Sequence, residues 1–104
     1  MTAIIISSQR YLDDDTVTAK IAAGDFTVTL SPEFVVNGET YQTVIDGHHS
    51  YAAAIEAGVP PVFIIASEQD DDRICLLDSS VDDYLEASYV DSDWYEIATG
   101  RVVF

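Results

Sequence analysis

Asp46, Gly47, His48 and His49 are the residues whose types and spacing come nearest to a chemical site in this chain. They lie in "TVIDGHHSYAAAIEAG" (Thr43–Gly58), where an apolar strand pattern passes through a glycine into an alanine-rich helix pattern. A glycine at that junction lets backbone approach a ligand closely, and the free N–H groups opening a helix turn a positive dipole end outward. Two imidazoles add hydrogen-bonding groups, and a carboxylate beside them is a ligand for a hard divalent cation. Asp46, Gly47, His48 and His49 are therefore the candidate cofactor-binding set, for the phosphates of a nucleotide.

The rest of the chain opposes an anion. Its 104 residues hold 19 acidic side chains against 4 Lys and Arg, a formal net charge of −15. Such a surface repels nucleic acid and anionic membrane, and it attracts basic partners at rates that fall with salt. The acid is also concentrated: Glu68, Asp70, Asp71, Asp72, Asp78, Asp82, Asp83, Glu86, Asp91, Asp93 and Glu96 stand in one stretch with Arg73 as its only cation. Asp70, Asp71, Asp72, Asp82, Asp83, Glu86, Asp91 and Asp93 form the candidate partner-binding set. Tyr84, Tyr89, Trp94 and Tyr95 lie among them, and aromatic rings ringed by carboxylates suit Arg and Lys through ion pairing and cation–π contact. Tyr84 and Trp94 are expected in the core.

Other chemistry has weak footing. Adjacent histidines on a helix point ~100° apart, unlike the i, i+4 pair of a zinc helix. "DDD" at 13–15 and 70–72 and "DSDWYE" at 91–96 lack the glycine-containing spacing of a calcium loop and read as solvated acid. Cys75 is the only cysteine, which excludes an internal disulfide, and its place in "RICLLD" predicts a buried small hydrophobe. No Ser-x-x-Lys, Gly-x-Ser-x-Gly or Walker pattern occurs. The expectation is no catalytic nucleophile, no metal site and no resident cofactor.

The elements that position these residues read as one domain, residues 1–104, with 48% apolar composition sufficient for a core. "AIIIS" predicts a buried strand. "VTAKIA" (Val17–Ala22) alternates as a half-buried strand, and "AGD" links it to "FTVTL" (Phe26–Leu30) as a hairpin. "FVVNGETYQTVI" predicts a second hairpin turning at Asn37-Gly38. The helix "SYAAAIEA" stops at Gly58 and Pro60-Pro61, and the continuously apolar "VFIIAS" predicts a strand covered on both faces. "SSVDDYLEASY" predicts a helix capped by Ser80, with Val81, Tyr84 and Leu85 inward and Asp82, Asp83 and Glu86 outward. "WYEIATGRVVF" predicts a hairpin turning at Thr99-Gly100, and an edge strand ending in "RVVF" leaves a homodimer open. The fold class is α+β: a small mixed or antiparallel sheet with two short helices. "MTAIIISSQR" is too short and too poor in leading positive charge for a signal peptide, and no run approaches the ~20 apolar residues of a membrane span. A soluble cytoplasmic protein is expected.

"VIDGHHSYAAAIEAG" resembles the ParB/sulfiredoxin-like superfamily, in which a strand leads through a Gly-[Cys/Glu/His]-[His/Arg]-Arg turn into a helix opening Tyr/Leu-Ala-Ala, with a hairpin placed as "FVVNGETYQT" is here. The resemblance covers about Phe34–Ser67 and implies a ParB/sulfiredoxin-like core. It places His48 where sulfiredoxins carry their catalytic cysteine, which excludes that reductase chemistry. His49 matches a position that helps hold nucleotide phosphate, and Asp46 is shared with an Asp-Gly-His-His-Arg subset that includes small-molecule kinases and nucleases. Ser50 replaces the arginine that clamps those phosphates, and a hydroxyl cannot supply its charge.

Two functions follow. One is an acidic binding protein, a DNA-mimic inhibitor of a basic nucleic-acid-binding protein or complex on a ParB-like scaffold. It contacts neither nucleic acid nor membrane itself. Duplex DNA carries one charge per ~1.7 Å of axis, a spacing that an acidic helix with flanking loops can imitate. Charge and size are like those of anti-CRISPR and anti-restriction proteins of phage and mobile elements. The alternative is an enzyme, a divergent nucleotide-dependent phosphotransferase or nuclease with a metal on Asp46 and phosphate on His49.

Overall fold

The computed structural model describes residues 3–104 and is an α+β domain. Strand β1 (Ile4–Ser7) leads into helix α1 (Asp14–Ala23), then strands β2 (Thr27–Leu30), β3 (Phe34–Val36) and β4 (Glu39–Asp46). Helix α2 (His48–Ala57) and strand β5 (Val62–Ile65) follow, then a 3-10 helix (Asp72–Asp78), helix α3 (Val81–Ser88) and strand β6 (Tyr95–Glu96).

The sheet is mixed, in the order β5-β2-β4-β1-β6, with β3 also on β4. β4 is paired along both edges. β1 runs parallel to it from Ile4↔Tyr41 to Ile6↔Thr43, and β3 and then β2 run antiparallel on the other side, from Val36↔Glu39 to Thr29↔Asp46. The predicted hairpin at Asn37-Gly38 is present, with both turn residues at positive φ (52° and 82°). Pro32 has no N–H for the ladder, and at this break between β2 and β3 Ser31 stands in: its N–H donates to Thr43 O and its Oγ accepts from Thr43 N.

Helices cover the two faces. Ile4, Ile6, Phe34 and Tyr41 pack under the 3-10 helix and α3 with Tyr84, Leu85 and Trp94, so Tyr84 and Trp94 are core as expected. Ile5, Val28, Leu30 and Val44 face the other way and pack with Tyr51 of α2 and with Ile97. α1 lies against α2. Across the first interface Thr43 Oγ1 and the Tyr84 hydroxyl are 2.6 Å apart, a buried bond between β4 and α3.

Several expectations are corrected. Val17–Ala22 is helix, not strand. Asp13 caps α1 by accepting the Asp15 N–H, Asp14 and Asp15 suit the first turn, and Gly24 closes it at φ 66°. These end signals outweigh the alternation of Val17, Ala19 and Ile21. The first hairpin is therefore replaced by a helix and a strand, and the described residues form three α-helices and a 3-10 helix rather than two helices. β5 is not covered on both faces; it lies at the sheet edge beyond β2, and all four of its residues are exposed. Cys75 is exposed, since the short 3-10 helix turns Ile74 inward instead and leaves the thiol bonded to Asp72 O. At the C-terminus the predicted hairpin is present in short form: the turn closes at Gly100, Glu96 N donates to Arg101 O and Val103 N to Trp94 O, and Tyr95 bridges Val102.

Tyr84→Phe leaves Thr43 Oγ1 buried without its partner and is expected to cost ~1–3 kcal/mol, most of it recovered in the Thr43→Val, Tyr84→Phe double variant. Urea unfolding of the three variants against the native chain measures this, and a double variant as unstable as the sum of the two singles contradicts it.

Candidate functional site

The junction between β4 and α2 is set by Gly47. It takes φ 92°, and a Cβ there would lie 2.6 Å from the Thr27 carbonyl oxygen and 3.1 Å from Val28 Cα on β2. The glycine thus answers to the approach of the protein's own backbone. Asp46 Oδ1 accepts the Gly47 N–H at 2.8 Å, and no side chain caps the first turn of α2.

Asp46, Gly47, His48 and His49 are brought together. They line one depression of about 340 Å³ with Gln9, Thr16, Lys20 and Ser50. Sequence reasoning misses Lys20, which lies in "VTAKIA" and reads as part of a strand, and Thr16, which lies just before it; the capping pattern of "DDDTVTAKIAAG" is the available signal. Lys20 is not free, however. Its ammonium pairs with Asp25 at 2.8 Å, which holds the lysine pKa above and the carboxyl pKa below their ordinary values. Ser50, the residue in place of a clamping arginine, is buried and close enough to Asp25 to help keep that carboxyl ionised.

Both histidines are held by other elements. His49 Nε2 accepts the backbone N–H of Asp13 at 3.1 Å, tying α2 to the cap of α1. His48 Nε2 lies 2.7 Å from Ser7 Oγ, which also accepts the Gln9 N–H. A serine at that distance from an imidazole has the spacing of a nucleophile and its base, a pairing that no sequence motif announced. Ser7 is only 1% exposed, and the bond joins β1 to α2. Burial pushes the His48 pKa down to about 4, helped by the neighbouring His49 and opposed by Asp46 and Asp91.

The eight acidic candidates lie on the 3-10 helix, on α3 and on the loops flanking them, the layer over the Ile6–Tyr41 face of the sheet. Three of them hold the fold. Asp70 accepts from Ser67 N and Oγ, Asp71 caps the 3-10 helix and grips the Arg73 guanidinium, and Asp91 accepts the Arg10 N–H. Arg73 holds the Asp71 carboxyl below its usual pKa. Asp72, Asp82, Asp83, Glu86 and Asp93 remain exposed. All four basic side chains are engaged within the chain: Lys20 and Arg73 as above, Arg101 3.9 Å from Glu96, and Arg10 stacked 4.0 Å from the Tyr95 ring centroid. Among the described residues no group of three or more His, Cys, Asp or Glu is arranged to hold a metal ion, and no helix is long and apolar enough to cross a membrane.

No protein-family model matches this chain, and no characterised protein or solved structure does so either.

Gly47→Ala is expected to destabilise the domain by ~2–4 kcal/mol, from a forbidden φ and a backbone clash together, read as a lower urea midpoint. His48 gives a pH prediction with a definite sign. Its folded pKa of about 4 lies below the ordinary 6.5, so its contribution is complete above pH 6.5 and is lost as pH falls towards 4. The loss approaches about 3 kcal/mol at the low end. The difference in unfolding free energy between the native chain and His48→Gln should shrink over that range, the carboxylate titrations being common to both. A difference independent of pH contradicts the burial of a neutral imidazole.

Proposed function

We propose that this chain is an acidic binding protein, a DNA-mimic inhibitor of a basic nucleic-acid-binding protein or complex, of the anti-restriction or anti-CRISPR kind, on a ParB-like scaffold. The observation that carries the reading is the state of the charges. Lys20 and Arg73 are held in close ion pairs, Arg10 lies over the Tyr95 ring and Arg101, 72% exposed, stands 3.9 Å from Glu96, while Asp72, Asp82, Asp83, Glu86 and Asp93 stand exposed on one layer. Among the described residues a phosphate would meet only cations that already have a carboxylate or ring beside them, whereas a basic groove would meet carboxylates in excess. α3 supplies the rigid part of the array: Asp82, Asp83 and Glu86 lie on its solvent side, held by Tyr84 and Leu85 beneath them. Affinity for such a partner comes from shape and charge together, with the on-rate carrying most of the salt dependence.

Neutralising the five exposed layer residues to Asn or Gln is expected to weaken capture of DNA-binding proteins by ~10-fold or more, since several charge contacts are lost together. An equal neutralisation of Asp14, Asp15, Glu33, Glu39 and Glu56 serves as the control. The immobilised chain is incubated with a nuclease-treated host lysate at ~0.1 M NaCl, and the captured protein should bind DNA-cellulose, be displaced by a DNA duplex and be released at ~0.5 M NaCl. Capture that DNA does not compete with, or that both variants lose equally, overturns the reading. Millimolar Mg-ATP should leave the melting midpoint unmoved, because only a ligand of the folded state raises it. A rise of several degrees, abolished by Asp46→Asn, would favour the phosphotransferase or nuclease alternative.

A further inference from the structure

β5 is an edge strand built like an interior one. Val62, Phe63, Ile64 and Ile65 are 58%, 42%, 51% and 53% exposed. Its two faces are apolar alike, for Phe63 lies on the α2 side, its ring 5.7 Å from that of Tyr51, and successive residues alternate. Its inner edge is used: Val62 N donates to Phe26 O and Ala66 N to Leu30 O. Alternation then turns the N–H and C=O groups of Phe63 and Ile65 outward, where they meet no other strand of the sheet. Exposed apolar edges are templates for further pairing, and proteins ordinarily blunt them with charge or a covering loop. No charged residue stands between Ala57 and Ser67, the longest uncharged run in a chain of net charge −15.

We propose that β5 is the interface of a homodimer, in which two copies pair antiparallel through this edge about a two-fold axis at Ile64 and the two sheets become one. Charge selects this occupant. A basic partner finds no carboxylate on the strip, whereas a second copy brings an identical neutral strip. The register follows from the backbone. With the axis at Ile64, Phe63 of each copy lies opposite Ile65 of the other, and the outward-facing groups of each such pair exchange both their hydrogen bonds. Ile64 then faces its own symmetry mate as a non-hydrogen-bonded pair, side chain to side chain. Pro60 and Pro61 precede the strand and end the pairing at its N-terminal side. With Val59 beside it the strip offers on the order of 400 Å² of apolar surface per copy, about 800 Å² for the pair, which is less than stable specific interfaces bury, so the dimer is a weak and reversible one. This surface is separate from the acidic layer, and the two respond to salt with opposite signs. Partner capture weakens as salt rises, while dimerisation tightens because like-charge repulsion is screened.

Sedimentation equilibrium of the native chain tests the proposal. The expected result is a monomer–dimer equilibrium whose dissociation constant falls several-fold between ~0.05 and ~0.5 M NaCl. Ile64→Lys, an exposed change that leaves the core untouched, should be monomeric with a native far-UV spectrum. Ile64→Cys in a Cys75→Ser background should give a covalent dimer under mild oxidation, because a non-hydrogen-bonded pair brings the two Cα atoms to ~4.5 Å, within disulfide range. A native chain that stays monomeric at every concentration and salt overturns the proposal. So does a dimer that persists in Ile64→Lys, one that weakens with salt, or one that Ile64→Cys fails to cross-link.

Discussion

The two hydrogen-bonded edges of β4 are the constraint from which the other elements take their places. β1 on one side and the interrupted strand β2–β3 on the other leave it no free edge, and its side chains are divided between the two cores. Tyr41 and Thr43 reach α3, while Val44 reaches α2. The end of β4 must also pass within contact of β2 before α2 begins, and Gly47 is the residue that permits it. β5 arrives only after α2 has crossed over β2, so it joins the sheet at the outside, where no helix remains to cover it.

Much of this was legible locally. Asn37-Gly38 between β-branched flanks, the Gly58-Pro60-Pro61 stop and the Ser80 cap each carried a signal of the right kind, and the structure has the turn, the helix end and the helix start there. Val17–Ala22 failed because alternation and helix-end chemistry disagreed within the same residues, and β-branched Val17, Thr18 and Ile21 tilted the reading towards a strand. Helix ends won, with Asp13, Lys20 and Gly24 all in place. The pattern of "VFIIAS" correctly announced a strand that seeks cover, but no pattern in a single chain says where in the sheet a strand will fall. The pocket residues were invisible for the same reason: Thr16 and Lys20 reach the Gly47 turn through the packing of α1 on α2, and Gln9 reaches it from the end of β1.

The acidic composition divides into carboxylates with intramolecular work and carboxylates without it. Asp13 and Asp71 cap helices, Asp70 closes a turn, Asp25 neutralises Lys20 and accepts from Thr27 N, and Asp91 fastens the loop after α3 to Arg10. Asp82 and Asp83 sit in the first turn of α3, where the helix dipole favours them whatever they meet outside. Sequence counting treats all of these alike. The geometry narrows a carboxylate array to the solvent side of α3 and its immediate flanks, and it makes Asp70, Asp71 and Asp91 poor choices for testing a partner, since removing them disturbs the fold.

A glycine-histidine turn at a helix N-terminus inside so negative a chain looked contradictory, and its ingredients resolve the contradiction one by one. Gly47 makes room for Thr27 rather than for a ligand. His49 spends Nε2 on Asp13, so a phosphate taking that nitrogen would have to release the cap of α1. His48 is half-buried beside Ser7, and charging it to greet an anion would work against the desolvation that lowers its pKa. Among the described residues Lys20 is the one cation that lines the depression, and freeing it means leaving the Asp25 carboxylate unpaired. Taking a phosphate on His49 or charging His48 would therefore loosen the contacts that join α2 to the cap of α1 and to β1, and through those contacts the turn ties the three elements together.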